Sequence, residues 1–249
     1  MYRILSAGLA ISTLILSGCA DISSSDIRTS GICADIDIFN SNNRVQIDTT
    51  LKAGCGLGGS YVDLDGNDYL SANYLSGDYI LNKHSEFLSN ITSYHATSTT
   101  NYTAGEQVYV KLNRDSTSVS ADNSFVNLLS PFTLTQPVNN STYSSGQSIS
   151  FSWDRSQPGS SVYLQLECNK SDGSNTTAKI YRTTSSTAYT IGVSEVYNVL
   201  YTPGEATPLN CSGTANVKQH LAGNIDPAYE NGSRITSSYL QSRNISINF

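Results

Sequence analysis

Apolar and polar residues alternate with a period of two over most of the chain from Gly31 onward. Such a period sends successive side chains to opposite faces of a strand, so each run predicts a strand with one buried face. The first run is Asp35-Ile36-Asp37-Ile38-Phe39. Val45, Ile47, Thr49 and Leu51 repeat it after the turn Asn40-Ser41-Asn42-Asn43. Residues 61–64 and 69–74 flank Asp65-Gly66-Asn67-Asp68, which reads as a hairpin. A strand at 79–81 follows, then a less regular stretch over 82–103. Val108, Val110 and Leu112 alternate again. About seven short strands, with turns roughly every 8–12 residues, predict a sandwich.

Residues 113–130 are rich in Ser and Asn and end in Leu128-Leu129-Ser130-Pro131, a plausible domain junction. Beyond it, residues 132–137 open a second strand set. Ile149, Phe151 and Trp153 share one face, as do Val162, Leu164, Leu166 and Cys168. Further strands are expected at 178–181, 189–191, 211–217 and 244–249, with an excursion around Asn224-Ile225-Asp226-Pro227 and Glu230-Asn231-Gly232-Ser233. No stretch sustains a period of 3.6. The expected fold is all-β: two tandem antiparallel β-sandwich domains, cut between 113 and 131 and folding independently. Residues 132–166 resemble fibronectin type III and related immunoglobulin-like modules. The resemblance rests on the Pro-bearing first strand, the second strand ending in Trp153, the Gln157-Pro158-Gly159 turn and the strand after it. It implies that Trp153 is a core residue. Cys168 follows the Trp, whereas the first cysteine of an antibody domain precedes it.

The start of the chain reads differently. A short apolar run, Ile4 to Leu16, follows Arg3. That is the layout of a secretory signal and too short for a transmembrane helix of about 20 residues. Leu16-Ser17-Gly18-Cys19 resembles the lipobox of bacterial lipoproteins. The resemblance implies cleavage before Cys19, a diacylglycerol on its thiol and an acylated amine. Ala20, in place of Asp, implies the outer membrane by the sorting rule of enteric bacteria, facing the periplasm or the surface. The polar stretch from Ala20 to Ser30 reads as a flexible tether. The expected organisation is a signal over 1–18, a lipidated tether over 19–30, and sandwiches over 31–130 and 131–249.

The chain carries 14 Lys+Arg against 20 Asp+Glu, a net charge of −6, with no basic cluster. That argues against nucleic acid and against a polybasic membrane patch. Five cysteines are present. With Cys19 acylated, Cys33, Cys55, Cys168 and Cys211 remain and allow three pairings. Their grouping favours Cys33–Cys55 and Cys168–Cys211, which an oxidising compartment permits.

The sequence offers little chemistry. Gly54, Gly56 and Gly59 match G-x-G-x-x-G, but strand-like residues follow where a dinucleotide site needs a helix. Asp63, Asp65, Asn67 and Asp68 have calcium-like spacing, yet Asp68 and Tyr74 stand where an EF-hand loop has Gly and Glu. His84, His95 and His220 are scattered, and no G-x-S-x-G or H-E-x-x-H occurs. No cofactor, metal or catalytic residue is expected. Tyr74, Tyr79, Tyr94, Tyr102, Tyr163, Tyr181 and Tyr189 are candidates for an exposed platform for sugar or protein, against the favoured reading of core and edge packing. The expected function is a lipid-anchored, non-enzymatic binding module of the cell envelope, attached through Cys19. The alternatives are an accessory subunit of an envelope or secretion complex, or a periplasmic hydrolase.

Overall fold

The computed structural model describes residues 21–41, 44–56, 58–74, 77–86, 91–99, 103–115, 119–155 and 159–249. Cys19 lies outside them, as does Tyr102. β1 (Ile22–Ser23) is followed by two 3-10 turns, Ser24–Asp26 and Thr29–Gly31. β2 (Ile32–Ser41) and β3 (Arg44–Ala53) form a hairpin. Ile32, Ala34, Ile36 and Ile38 are fully buried on one face of β2, and Asp35 and Asp37 occupy the other. Then come β4 (Val62–Asp63), β5 (Tyr69–Tyr74), β6 (Gly77–Ile80), β7 (Asn82–Glu86), β8 (Ile91–Ser98), β9 (Gln107–Asn113) and β10 (Ala121–Asn127). The second half holds β11 (Leu134–Gln136), β12 (Ser141–Ser144), β13 (Ser148–Trp153), β14 (Ser160–Lys170), β15 (Asn175–Thr184) and β16 (Ala188–Gly192). A helix, α1 (Val193–Leu200), leads to two long strands, β17 (Pro208–Ala222) and β18 (Arg234–Asn248).

Among the described residues one long sheet runs through both halves, in the order β15-β14-β17-β18-β2-β3-β8-β7. β18 makes it continuous. One edge of β18 pairs with β17 along nearly its whole length. The other edge pairs in parallel with β2 at residues 234–239 and with β12 at residues 245–248. The sheet β10-β9-β5-β6 covers the first half and β11-β13-β16 covers the second. Each pairing of sheets encloses its own apolar core. The first core includes Ile36, Ile47, Leu70, Tyr74 and Val110; the second includes Phe151, Trp153, Leu164, Val217 and Ile247. The fold is therefore an all-β double sandwich, and Trp153 is buried as expected.

Residues 221–235 cross the expected boundary at 130. Ile225, Ala228, Tyr229 and Ile235 pack in the first core, not the second. Phe125 and Asn224 exchange two backbone hydrogen bonds of 2.8 Å, and Asn123 N–H donates to the Asp226 carboxylate at 2.7 Å. The excursion thus caps the β10 edge, so a segment from the chain's last third completes the first sandwich.

Four local expectations need correction. The hairpin at Asp65–Asp68 does not form: β4 pairs with β1 in parallel, and β5 pairs with β6 and β9. Within the irregular stretch, β7 and β8 are regular antiparallel partners. Its pattern is hidden because Thr92 and Ser98 take buried positions that apolar residues would otherwise mark. A helix exists: Val193, Val196 and Leu200 bury one face of α1, but two turns are too short to sustain a period.

The fourth correction concerns the tether. Residues 21–31 are docked, not free. Ser24 is fully buried and Thr29 nearly so. Ser24 Oγ lies 2.8 Å from both Asp65 Oδ1 and Asp68 Oδ2, and Ser23 Oγ also donates to Asp65. Arg114 donates to the carbonyls of Ser24 and Ile27 at 2.6 and 3.0 Å and pairs with Asp68 at 2.8 Å. Both members of that ion pair are buried. A buried charge left without its partner is costly, so the segment is held by groups that need it. Hydrogen bonds from Ser23 and then Ser24 hold the Asp65 carboxyl at about 2, below its ordinary 3.8.

Candidate functional site

The outer face of the long sheet is its chemically distinctive surface. On β14, Val162, Leu164, Leu166 and Cys168 face the core, which turns Tyr163, Gln165, Glu167 and Asn169 outward. Ladder register aligns these with their neighbours on β15 and β17 in four rows. The rows are Tyr181-Tyr163-Asn216, Lys179-Gln165-Thr214, Thr177-Glu167-Ser212 and Asn175-Asn169-Asn210. Rows two residues apart along a strand are separated by about 6.7 Å, so the four span about 20 Å.

The Tyr163 and Tyr181 rings stack with centroids 6.3 Å apart and planes 25° apart. Tyr181 is 50% exposed, and Lys179 Nζ stands 5.5 Å from the Tyr163 ring centre. Partial burial pushes the Tyr163 phenol up from its ordinary value, and Tyr181 adds to the effect. It remains a neutral donor and acceptor at working pH. Beside the pair, short side chains at Thr177, Ser212 and Thr214 leave a depression of about 530 Å³, bounded by Gln165, Glu167 and Lys179. It continues into a second depression of about 570 Å³ that reaches Asn169 and Asn175. Asn169 Nδ2 donates to Asn210 Oδ1 at 2.8 Å at the far end. The result is a shallow polar trough with an aromatic shelf at one end. Hydroxyls and amides both donate and accept, and an aromatic face takes C–H surface.

The other tyrosine candidates lie elsewhere. Tyr74 and Tyr94 are buried, and Tyr94 OH accepts from Leu64 N–H and donates to Val62 O. Burial pushes its phenol up to about 12. Tyr79 packs against the first core and Tyr189 against the second. Cys33 bonds Cys55 and Cys168 bonds Cys211, with Cα atoms 4.9 and 4.0 Å apart. Cys168 and Cys211 are direct partners on adjacent strands of one sheet, not facing ones. Gly54 adopts φ +84° beside Cys55, whose N–H donates to Glu230 at 3.1 Å, so the glycines serve a turn at the disulfide. The carboxylates of the calcium-like loop are engaged: Asp63 with Lys83, Asp65 and Asp68 with Ser24 of the docked segment, and Asp68 also with Arg114.

The histidines are scattered in sequence but not in space. His84 and His95 meet edge to face at 5.2 Å on the outer face of β7 and β8, while His220 stands against Gly159. Sequence reasoning missed this pair because it missed the β7–β8 pairing that creates it.

No family model matches the chain, and no curated protein matches it in sequence. Among solved structures it is similar to the crystal structure of the chicken CNTN1 FN1-FN3 domains. The identity is 8%, the TM-score 0.20, and the match covers 84% of this chain. The chain spans 64% of the length of that structure. A likeness that distant assigns neither family nor function.

Proposed function

We propose that this chain is a lipid-anchored protein of the bacterial envelope that binds glycan on the outer face of β15, β14 and β17. One observation carries the reading: the stacked, half-exposed Tyr163–Tyr181 pair adjoins a trough of Gln, Glu, Thr, Ser and Asn side chains. Sugars present C–H faces to aromatic rings and hydroxyls to amides, and this face supplies both. A protein-binding face would instead centre on an apolar patch with a polar rim. The two disulfides fit an oxidising compartment.

The anchor reading rests on the lipobox resemblance at Cys19. Only Ala20 separates Cys19 from Asp21, at most about 7 Å of chain. Because residues 21–31 are docked, a lipid on Cys19 holds the first sandwich directly at the bilayer, with no slack between them. Cys19→Ala should abolish palmitate labelling and release the protein from membranes. A variant that still labels and still sediments contradicts the anchor.

The binding reading is tested with soluble peptidoglycan fragments and delipidated O-polysaccharide, by calorimetry. At least one should bind, and Tyr181→Ala should weaken it about tenfold. Absence of binding by both probes, or binding indifferent to Tyr181→Ala, contradicts the reading.

A further inference from the structure

A second constellation lies on the same face of the long sheet, in the first sandwich. Ser93 and His95 are two residues apart on β8 and share its outer face. Asp48 lies directly across from His95 on β3, and His84 directly across from Ser93 on β7. Ser93 Oγ is 3.1 Å from His95 Nε2, and His95 Nδ1 is 2.5 Å from Asp48 Oδ1. A carboxylate only accepts, so Nδ1 carries a proton toward Asp48; in the neutral imidazole Nε2 then accepts from the serine hydroxyl, which also reaches the His84 carbonyl at 3.5 Å. Asp48 is itself fixed: Gln46 Nε2 donates to its second oxygen at 2.8 Å, and Arg44 donates to Gln46 Oε1 at 3.0 Å. This is nucleophile, base and orienting acid in hydrogen-bonded order, with a supporting relay behind the acid.

Asp37 and Asp48 are direct cross-strand partners, and like charges placed opposite one another are destabilising. Two of the chain's three histidines come together here, within a ring-centre distance of 5.2 Å. We infer that Ser93, His95 and Asp48 form a nucleophilic triad that cleaves short-chain esters.

In the step proposed, Ser93 Oγ attacks the ester carbonyl carbon and its proton passes to His95 Nε2. The tetrahedral oxyanion collapses, the C–O bond to the alcohol breaks, and the leaving oxygen takes the proton from His95. Water then attacks the acyl-Ser93 carbonyl, giving its proton to His95. The acid leaves as Ser93 Oγ recovers that proton. The net reaction is ester plus water to carboxylic acid plus alcohol. Among the described residues the triad lies open on a sheet face: the His95 and Asp48 side chains are 36% and 26% exposed. That suits a small acyl group presented on a polymer, not a long-chain ester that needs an apolar channel.

The test uses the full chain and a fluorophosphonate probe, with the labelled peptide mapped by mass spectrometry. Labelling should fall on Ser93, vanish in Ser93→Ala and drop at least a hundredfold in rate in His95→Gln. Asp48→Asn keeps shape but favours the wrong imidazole tautomer, and should cut the labelling rate comparably. Hydrolysis of p-nitrophenyl acetate should follow the same order. Circular dichroism of each variant separates loss of chemistry from loss of fold. No labelling of Ser93, labelling that persists in folded His95→Gln, or ester hydrolysis that survives Ser93→Ala overturns the inference.

Discussion

The two sandwiches share a plan but are held by different means. The second has an apolar core of Phe151, Trp153, Leu164, Leu166 and Ile247, closed by Cys168–Cys211 between neighbouring strands. Both halves bury uncharged polar side chains, among them Asn40, Thr49, Thr92 and Ser124 in the first and Ser160, Ser161, Asn216 and Gln219 in the second. Among the described residues the first also buries charge, in Asp226 and the Arg114–Asp68 pair. It also borrows Tyr229 and Ile235 from far along the chain. Apolar and uncharged polar groups need fit and a hydrogen bond, whereas a buried charge needs its particular partner in place. The first half is thus the dependent one, although it is made first.

The largest effect expected from that difference is on fragments. A chain of residues 21–130 lacks the β18 partner of β2 and the cap on β10, and should lack cooperative structure by near-ultraviolet dichroism and proteolysis. Residues 131–249 retain all the buried residues of the second core except Leu129 and should fold. A stable, cooperative 21–130 fragment would remove the distinction between the halves.

Single substitutions come next. Arg114→Met strands the buried Asp68 carboxylate and the carbonyls of Ser24 and Ile27. It should cost about 3–5 kcal/mol in urea unfolding and free residues 21–31 for protease. Trp153→Ala should cost a similar 3–5 kcal/mol by opening a cavity, without touching the N-terminal segment. Equal protease sensitivity of that segment in both variants would mean that the halves are not held differently.

The smallest effect is the pH response of the docked segment. Asp65 sits at about 2 in the folded chain and 3.8 unfolded. Its contribution is therefore fully present above about 3.8 and lost as pH falls through about 2. The Ser25 amide, which donates to Asp65 at 3.2 Å, should shift in NMR spectra over that window and not in Asp65→Asn. An unchanged Ser25 resonance would show that Asp65 does not hold the segment.

The comparison also explains what was legible in the sequence. β13 and β14 were readable because Ile149, Phe151, Trp153, Val162, Leu164 and Leu166 keep strict alternation. β8 was not, because Thr92 is buried through its hydrogen bond to Asp21, a partner 71 residues away. The parallel pairing of β18 with β2 has no local signal at all, since strands nearly 200 residues apart meet by elimination of other edges. The same holds for sites. Tyr163 and Tyr181 were among seven candidates, and their parity opposite Leu164 and Ile180 distinguishes them once both strands are known. Ser93, His95 and Asp48 required a register between strands that only the fold supplies.

Hydrogen–deuterium exchange of the full chain with and without bound delipidated O-polysaccharide or peptidoglycan fragment tests the central claim, that the outer face of β15, β14 and β17 is the binding surface. The account predicts protection at residues 161–169, 175–183 and 210–216, with the first sandwich unchanged. Protection confined to other segments, with these three exchanging at the free rate, would contradict it.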